Sequence, residues 1–130
     1  VDAVDVLPLY PQYASSSTGT ALEVIYREAA RAWNTPFLRV IPPFYDDAGF
    51  LDAWAAVARP VLEELRPEIA LLSFHGLPER HLKKSADGPR CLSGATCCDA
   101  LTPENRNCYR AQCFATARGL RARLQLAPEQ

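Results

Sequence analysis

Ile69-Ala70-Leu71-Leu72-Ser73-Phe74-His75-Gly76-Leu77-Pro78-Glu79-Arg80 is the stretch on which the reading of this chain turns. The apolar run from Ile69 to Leu72 has the character of a strand buried on both faces, as in a parallel sheet covered by helices. At His75-Gly76 the run breaks, because glycine reaches backbone conformations that other residues resist and Pro78 cannot donate to a ladder. A histidine at the exit of a buried strand can be held by the sheet while its ring faces a crevice. A histidine merely satisfied within a turn would look the same in sequence. The sequel bears on that choice, because all five cysteines of the chain lie between Cys91 and Cys113.

Upstream, Val4-Asp5-Val6-Leu7-Pro8-Leu9 reads as a short strand with Pro8 at an edge or an end. Tyr10-Pro11-Gln12-Tyr13 leads into the hydroxyl-rich loop Ala14-Ser15-Ser16-Ser17-Thr18-Gly19. Thr20-Ala21-Leu22-Glu23 fits a capping box, in which each polar side chain satisfies a free backbone N–H. Leu22, Ile25, Tyr26, Ala29 and Trp33 then recur at helical spacing, which predicts one buried face ending near Asn34. Phe37 to Ile41 is a second strand, closed by Pro42-Pro43. Asp46 and Asp47 are candidate caps of a second helix, with Phe50, Trp54, Val57, Val61 and Leu65 as its apolar face. Pro60 inside that pattern predicts a kink or two abutting helices. The third strand is Ile69 to Phe74, and a last helix carries Cys113, Ala117, Leu120 and Leu124 on one stripe, with Phe114 beside it.

Strands alternating with amphipathic helices predict an α/β fold: a three-layer parallel sheet with flanking helices, Rossmann-like, forming one domain over 1–130. Ligands of such sheets bind beyond the carboxyl ends of the strands, here Tyr10 to Thr18, Pro43 to Tyr45 and His75 to Pro78. These ends carry no glycine-rich phosphate cradle, which counts against a nucleotide. A chain of 130 residues that is 48% hydrophobic can bury a sizeable core. No apolar run approaches the roughly 20 residues of a transmembrane span. A net charge of -1 gives no general reason to expect nucleic acid or an anionic membrane as partner. With no methionine anywhere and a strand-like run almost at the start, the chain reads as a piece of a longer polypeptide. Clustered cysteines suit a reducing, cytoplasmic setting and metal ligation better than a disulfide scaffold, whose cysteines would be spread out.

Pro8-Leu9-Tyr10-Pro11-Gln12-Tyr13, then Ser17-Thr18-Gly19, then Ser73-Phe74-His75-Gly76-Leu77-Pro78-Glu79-Arg80 resemble, in that order, segments of ferrochelatases. Those enzymes insert ferrous iron into a porphyrin, protoporphyrin IX or coproporphyrin III, to make haem. The resemblance covers essentially the whole chain and implies the first part of the second of two similar chelatase-like domains. It implies His75 as the catalytic group, taking a pyrrole proton or ligating the incoming Fe²⁺, both of which imidazole can do near neutral pH. It implies Tyr10 and Tyr13 on the wall of the porphyrin pocket; a packed tyrosine with a satisfied hydroxyl is the plainer alternative. Ser15 to Thr18 can equally be a loop that satisfies its own backbone, and His81, beside Lys83 and Lys84, reads as solvated surface. The remainder of the enzyme would supply catalytic acidic residues and half of the cleft, so the isolated chain is expected to be inactive. The full enzyme would have no transmembrane segment but could associate peripherally with a membrane.

The cysteines are spaced Cys91-x5-Cys97-Cys98-x9-Cys108-x4-Cys113. Asn107 to Cys113 resembles the junction at which family members without extra cysteines pass directly into a tyrosine and a helix. Residues 85–113 therefore read as a cysteine-rich metal-binding insertion. Many ferrochelatases carry a 2Fe–2S cluster, some using a cysteine of the loop after the tyrosine-proline segment. This chain has Ser15 there, so the resemblance implies the internal arrangement, with Cys91, Cys98, Cys108 and Cys113 as ligands and Cys97 as alternate to Cys98. Five residues turn a helical side chain by roughly 140°, so Cys108 should precede the last helix and Cys113 sit in its first turns. Structural zinc and plain free thiols are the competing readings, although a paired C-x2-C pattern is lacking. The loop looks too polar to hold itself without a bound group. A different class of function also fits: a non-catalytic zinc- or redox-sensing module on an α/β scaffold.

Overall fold

The computed structural model describes residues 1–85, 92, 94 and 96–127, and the chain forms two compact units, Val1–Pro43 and Phe44–Gln130. In the first unit, β1 (Ala3–Val6) and β2 (Phe37–Val40) pair in parallel, with Ala3 opposite Phe37 and Val6 opposite Val40. A parallel pair needs a long crossover, which α1 (Thr20–Arg31) supplies. Asp5 and Arg39 face each other across the pair, Arg39 Nε and Nη2 donating to the Asp5 carboxylate at 2.6 and 2.8 Å. Both are exposed, so the pair fixes register more than it adds stability. β1 ends before Pro8, as a residue without an N–H requires.

The start of α1 differs from expectation. A single π-helical turn, Ser15–Gly19, runs straight into the helix, so Thr20 is itself helical (φ −66°, ψ −41°) and cannot adopt the extended backbone of a cap. Its hydroxyl instead donates to the Ser15 carbonyl at 3.2 Å, and Glu23 pairs with Arg27 one turn on at 2.6 Å. The helix stops at Arg31, which leaves Trp33 beyond the predicted face and 99% exposed. Leu22, Ile25 and Ala29 are half-buried along the expected stripe.

The second unit opens with α2 (Ala48–Leu65), capped by Asp47, whose carboxylate accepts from the Phe50 N–H at 2.9 Å. The Phe50 ring meets Phe44 edge-on at 5.3 Å. Pro60 does not divide the helix. The backbone bond it removes falls on the exposed side, where water can satisfy the Ala56 carbonyl. The buried stripe is not the one predicted. Leu51 and Ala55 are buried, with Ala58 and Leu62 half-buried in line, whereas Trp54, Val57, Val61 and Leu65 are exposed. The reason lies on the neighbouring helix, α4 (Tyr109–Leu124). A Cβ on Gly119 would lie 2.7 Å from Leu51 Cδ1, so glycine there and alanines on α2 permit a close approach that bulkier side chains would block. Arg59 Nη2 donates to the Arg123 carbonyl at 2.8 Å, Arg123 pairs with Asp52, and Thr116 Oγ1 donates to the Tyr45 carbonyl at 2.7 Å.

Two further departures surround the histidine segment. The chain leaves α2 through Arg66 in the left-handed region (φ 45°) and continues without regular structure to Pro78. The predicted third strand is therefore not formed; Ile69 and Leu71 are exposed, and among the described residues no strand pairs with 69–74. A strand exists through its ladder, and apolar composition alone cannot supply one. Beyond Pro78 a short helix, α3 (Glu79–Ser85), was not anticipated. It starts where the Pro78 carbonyl accepts the His81 N–H at 2.8 Å, and it buries Leu82. His81, expected as solvated surface, is half-buried. A single inward leucine gives no period to detect. The α/β class with parallel pairing stands, and among the described residues no helix is long and apolar enough to cross a membrane.

Candidate functional site

Each unit positions part of the predicted site. In the first, Tyr10 is exposed and Tyr13 half-buried, the Tyr13 hydroxyl lying 3.7 Å from where a Cβ on Gly19 would sit. The serine-rich turn partly satisfies its own backbone, through Thr20 on the Ser15 carbonyl and Ser17 Oγ on the Ala14 carbonyl at 3.4 Å. Thr18 is the exception. It is buried, and its hydroxyl has no hydrogen-bond partner among the described residues. An unsatisfied buried hydroxyl costs about 1–3 kcal/mol, which makes it a feature composition could not flag.

In the second unit the exposed His75 ring borders a cavity of about 360 Å³. Leu72, Phe74 and Leu77 line it from the histidine segment, Leu82 from α3, and Tyr109, Arg110, Cys113 and Phe114 from α4. A largely apolar wall with an imidazole, a phenol, a thiol and a guanidinium is suited to a mostly apolar ligand with a few polar contacts. The Tyr109 phenol is pushed up to about 12, chiefly by burial and then by the neighbouring Cys113 thiol. The His75 backbone opposes that shift slightly. Tyr109 was not singled out by its sequence context; its spacing of four from Cys113 on a helix was the available signal.

Cys108 directly precedes α4 with extended backbone (φ −79°, ψ 113°), and Cys113 lies in the helix's second turn, both as expected. Cys98 and Cys108, each 3% exposed, form a small core with Ala111, flanked by Cys97 and Leu101. Cys97 Sγ lies 3.6 Å from Cys98 Sγ, and Arg110 Nη1 lies 3.9 Å from Cys97 Sγ. The same guanidinium stacks 4.8 Å over the Phe114 ring. Burial pushes the Cys98 thiol up to about 11. Cys113, 8% exposed, is likewise pushed up to about 11 by burial. Cys97 is lowered, first by the Leu92 backbone N–H and further by Cys98 and Arg110.

The described part of the loop ahead of α4, residues 96–108, carries hydrogen bonds of its own. Asn105 Nδ2 donates to the Cys97 carbonyl at 3.2 Å and the Ala100 carbonyl at 2.8 Å, while its Oδ1 accepts the Thr102 N–H at 2.7 Å. Arg118 donates to the Cys98 carbonyl at 3.3 Å, and Gln112 Nε2 to the Arg106 carbonyl at 2.6 Å. Cys91 lies outside the described residues. Among the described residues no three His, Cys, Asp or Glu side chains converge closely enough to hold a metal ion. The donors gathered among the described residues are sulfurs, buried at Cys98 and Cys108 and half-buried at Cys97, beside one cation, which fits a thiolate-held iron–sulfur group in kind and does not suit a hard, oxygen-seeking ion.

The chain matches the ferrochelatase family model over residues 1–130. It is 44% identical to a ferrochelatase of Ectopseudomonas mendocina over 100% of this chain and 38% of that protein. It is 40% identical to one of Bdellovibrio bacteriovorus over 98% of this chain and 37% of that protein. Against one of Opitutus terrae the identity is 42%, over 96% of this chain and 36% of that protein. The chain thus spans little more than a third of the length of these curated relatives. No solved structure gives a significant match.

Proposed function

The chain belongs to the ferrochelatase family, and we propose that the protein of which it is part inserts ferrous iron into a porphyrin to make haem. The family match across the full 130 residues carries this reading. His75 is the residue assigned to the chemistry. Metallation requires two pyrrole N–H protons to leave while Fe²⁺ sheds water, and an exposed imidazole at an apolar cavity can accept such a proton or ligate the arriving iron. Tyr10 and Tyr13 are assigned to the porphyrin wall, and the acidic counterpart of His75 to the remainder of the enzyme. The reducing cytoplasm suits the free thiols.

Cys91, Cys98, Cys108 and Cys113, with Cys97 as alternate to Cys98, are the residues assigned to a 2Fe–2S cluster within the insertion 85–113. When bound, such a group would cross-link the loop to α4. The buried pair of Cys98 and Cys108 beside Arg110 supports this assignment. The function is tested by adding Fe²⁺ and protoporphyrin or coproporphyrin anaerobically to the intact parent enzyme and following the visible bands. Replacement of the free-base bands by those of the metalloporphyrin is expected. The 130-residue chain alone should leave them nearly unchanged, and an intact parent that neither binds nor metallates porphyrin would overturn the proposal.

A further inference from the structure

The first turn of α4 has the wrong charge for a helix start. It carries no acidic residue, and its cap, Cys108, makes no side-chain hydrogen bond to the free backbone N–H groups. The second residue of the helix is Arg110, a cation at the end where the helix dipole disfavours one. Among the described residues no carboxylate pairs with its guanidinium. The side chain is half-buried, stacked 4.8 Å over the Phe114 ring, with Nη1 3.9 Å from Cys97 Sγ. Cys97 Sγ lies 3.6 Å from Cys98 Sγ, and Cys98 packs with Cys108 in one small core. An uncapped helix start and a cation without a carboxylate thus meet at one gathering of sulfurs. That combination suits a group of net negative charge.

We propose that Arg110 is the countercharge of the group held by the gathered thiols and sets its reduction potential. This rests on the reading of those thiols as ligands of a 2Fe–2S cluster. At 3.9 Å from sulfur the guanidinium acts by its charge rather than as a short hydrogen bond. Thiolate ligands bring negative charge and reduction adds an electron, so a cation fixed beside them favours the reduced form and raises the potential. Because Cys97 and Cys98 lie side by side, Arg110 borders the group whichever of the two ligates. The Phe114 ring holds the guanidinium in place without neutralising it.

The test is an anaerobic redox titration of the intact parent enzyme with dithionite, following the thiolate-to-iron absorption. Arg110→Met keeps an unbranched stem and removes the charge, whereas Arg110→Lys keeps the charge on a different head. In Arg110→Met the balance should move about tenfold toward the oxidised form. For one electron that is a midpoint about 59 mV more negative. Arg110→Lys should recover most of that shift, with iron and sulfide content equal in all three proteins. A cluster present in Arg110→Met at an unchanged midpoint would overturn the proposal and leave the cluster reading standing. If Arg110→Met retains no cluster, Arg110→Lys decides: a cluster near the original midpoint supports the countercharge, and its loss there too makes the side chain a packing element and overturns the proposal. Parent enzyme with neither iron nor acid-labile sulfide would overturn the cluster reading itself, and this role of Arg110 with it.

Discussion

The histidine segment, 69–78, and the thiol-bearing loop, 96–108, are both irregular, yet they are held in opposite ways. The loop is polar and supplies its own fastenings: Asn105 ties three backbone groups, and Arg118 and Gln112 reach back from α4. The histidine segment is apolar and largely exposed, with no ladder among the described residues, and it shares the wall of one cavity with α4. Apolar composition thus marks a segment whose stability depends on neighbours, whereas amide and guanidinium side chains let a short loop define itself locally. The chemistry is assigned to the first kind of segment and the gathering of thiols to the second.

The largest expected effect falls on the histidine segment. His75→Ala in the intact parent should lower kcat by at least the roughly 100-fold typical of a lost acid–base group while leaving the thermal midpoint in place, since the ring is exposed. Steady-state kinetics with calorimetry would decide this; a lowered midpoint with normal kcat would give His75 the structural role instead. The converse holds for the loop. Asn105→Ala removes three hydrogen bonds and should cost about 1–3 kcal/mol, read by denaturant titration, with little change in kcat per folded enzyme. A smaller loss is expected from Gly119→Ala. The new Cβ meets Leu51 Cδ1, and an overpacking cost of about 1–3 kcal/mol outweighs the roughly 1 kcal/mol that alanine gains over glycine in a helix. A stabilised variant would show that Leu51 yields.

The mildest prediction separates the thiols from one another. In metal-free protein Cys97 should be alkylated at lower pH than Cys98 or Cys113, whose burial holds them protonated until about 11. Those raised values also set a sign for stability. Below about 9, the Cys98 and Cys113 thiols are neutral in both folded and unfolded chains. Between about 9 and about 11 only the unfolded thiols ionise, so the metal-free fold should lose stability as pH rises through that window. Mass spectrometry of iodoacetamide-treated protein at stepped pH checks the order, and equal rates for all three thiols would contradict it.

What could be read from the sequence was whatever local pattern determines. The parallel pairing of β1 with β2, the Asp47 cap and the placement of Cys108 just ahead of α4 follow from short-range signals. The misses arise where tertiary partners decide. α2 carries two apolar stripes, and the smaller one is buried because Gly119 lets α4 approach. The run 69–74 has the composition of a strand without a pairing partner. α3 has one inward leucine, and Thr20 could not cap a helix that had begun at Ser15. Within the candidate site, residue type, spacing and the family resemblance pointed to His75 and the cysteines, whose roles are the ones proposed above. Tyr109 and the orphan hydroxyl of Thr18 owe their interest to burial and neighbours alone.

If the histidine segment handles substrate iron and the thiol loop holds iron of its own, the two should be separable by composition. The most direct measurement is the iron, zinc and acid-labile sulfide content of intact parent enzyme purified anaerobically, alongside its Cys108→Ser variant. Iron and sulfide in equal amounts are expected, with red-brown thiolate-to-iron charge-transfer absorption that disappears in the variant. Stoichiometric zinc with neither iron nor sulfide would contradict the assignment.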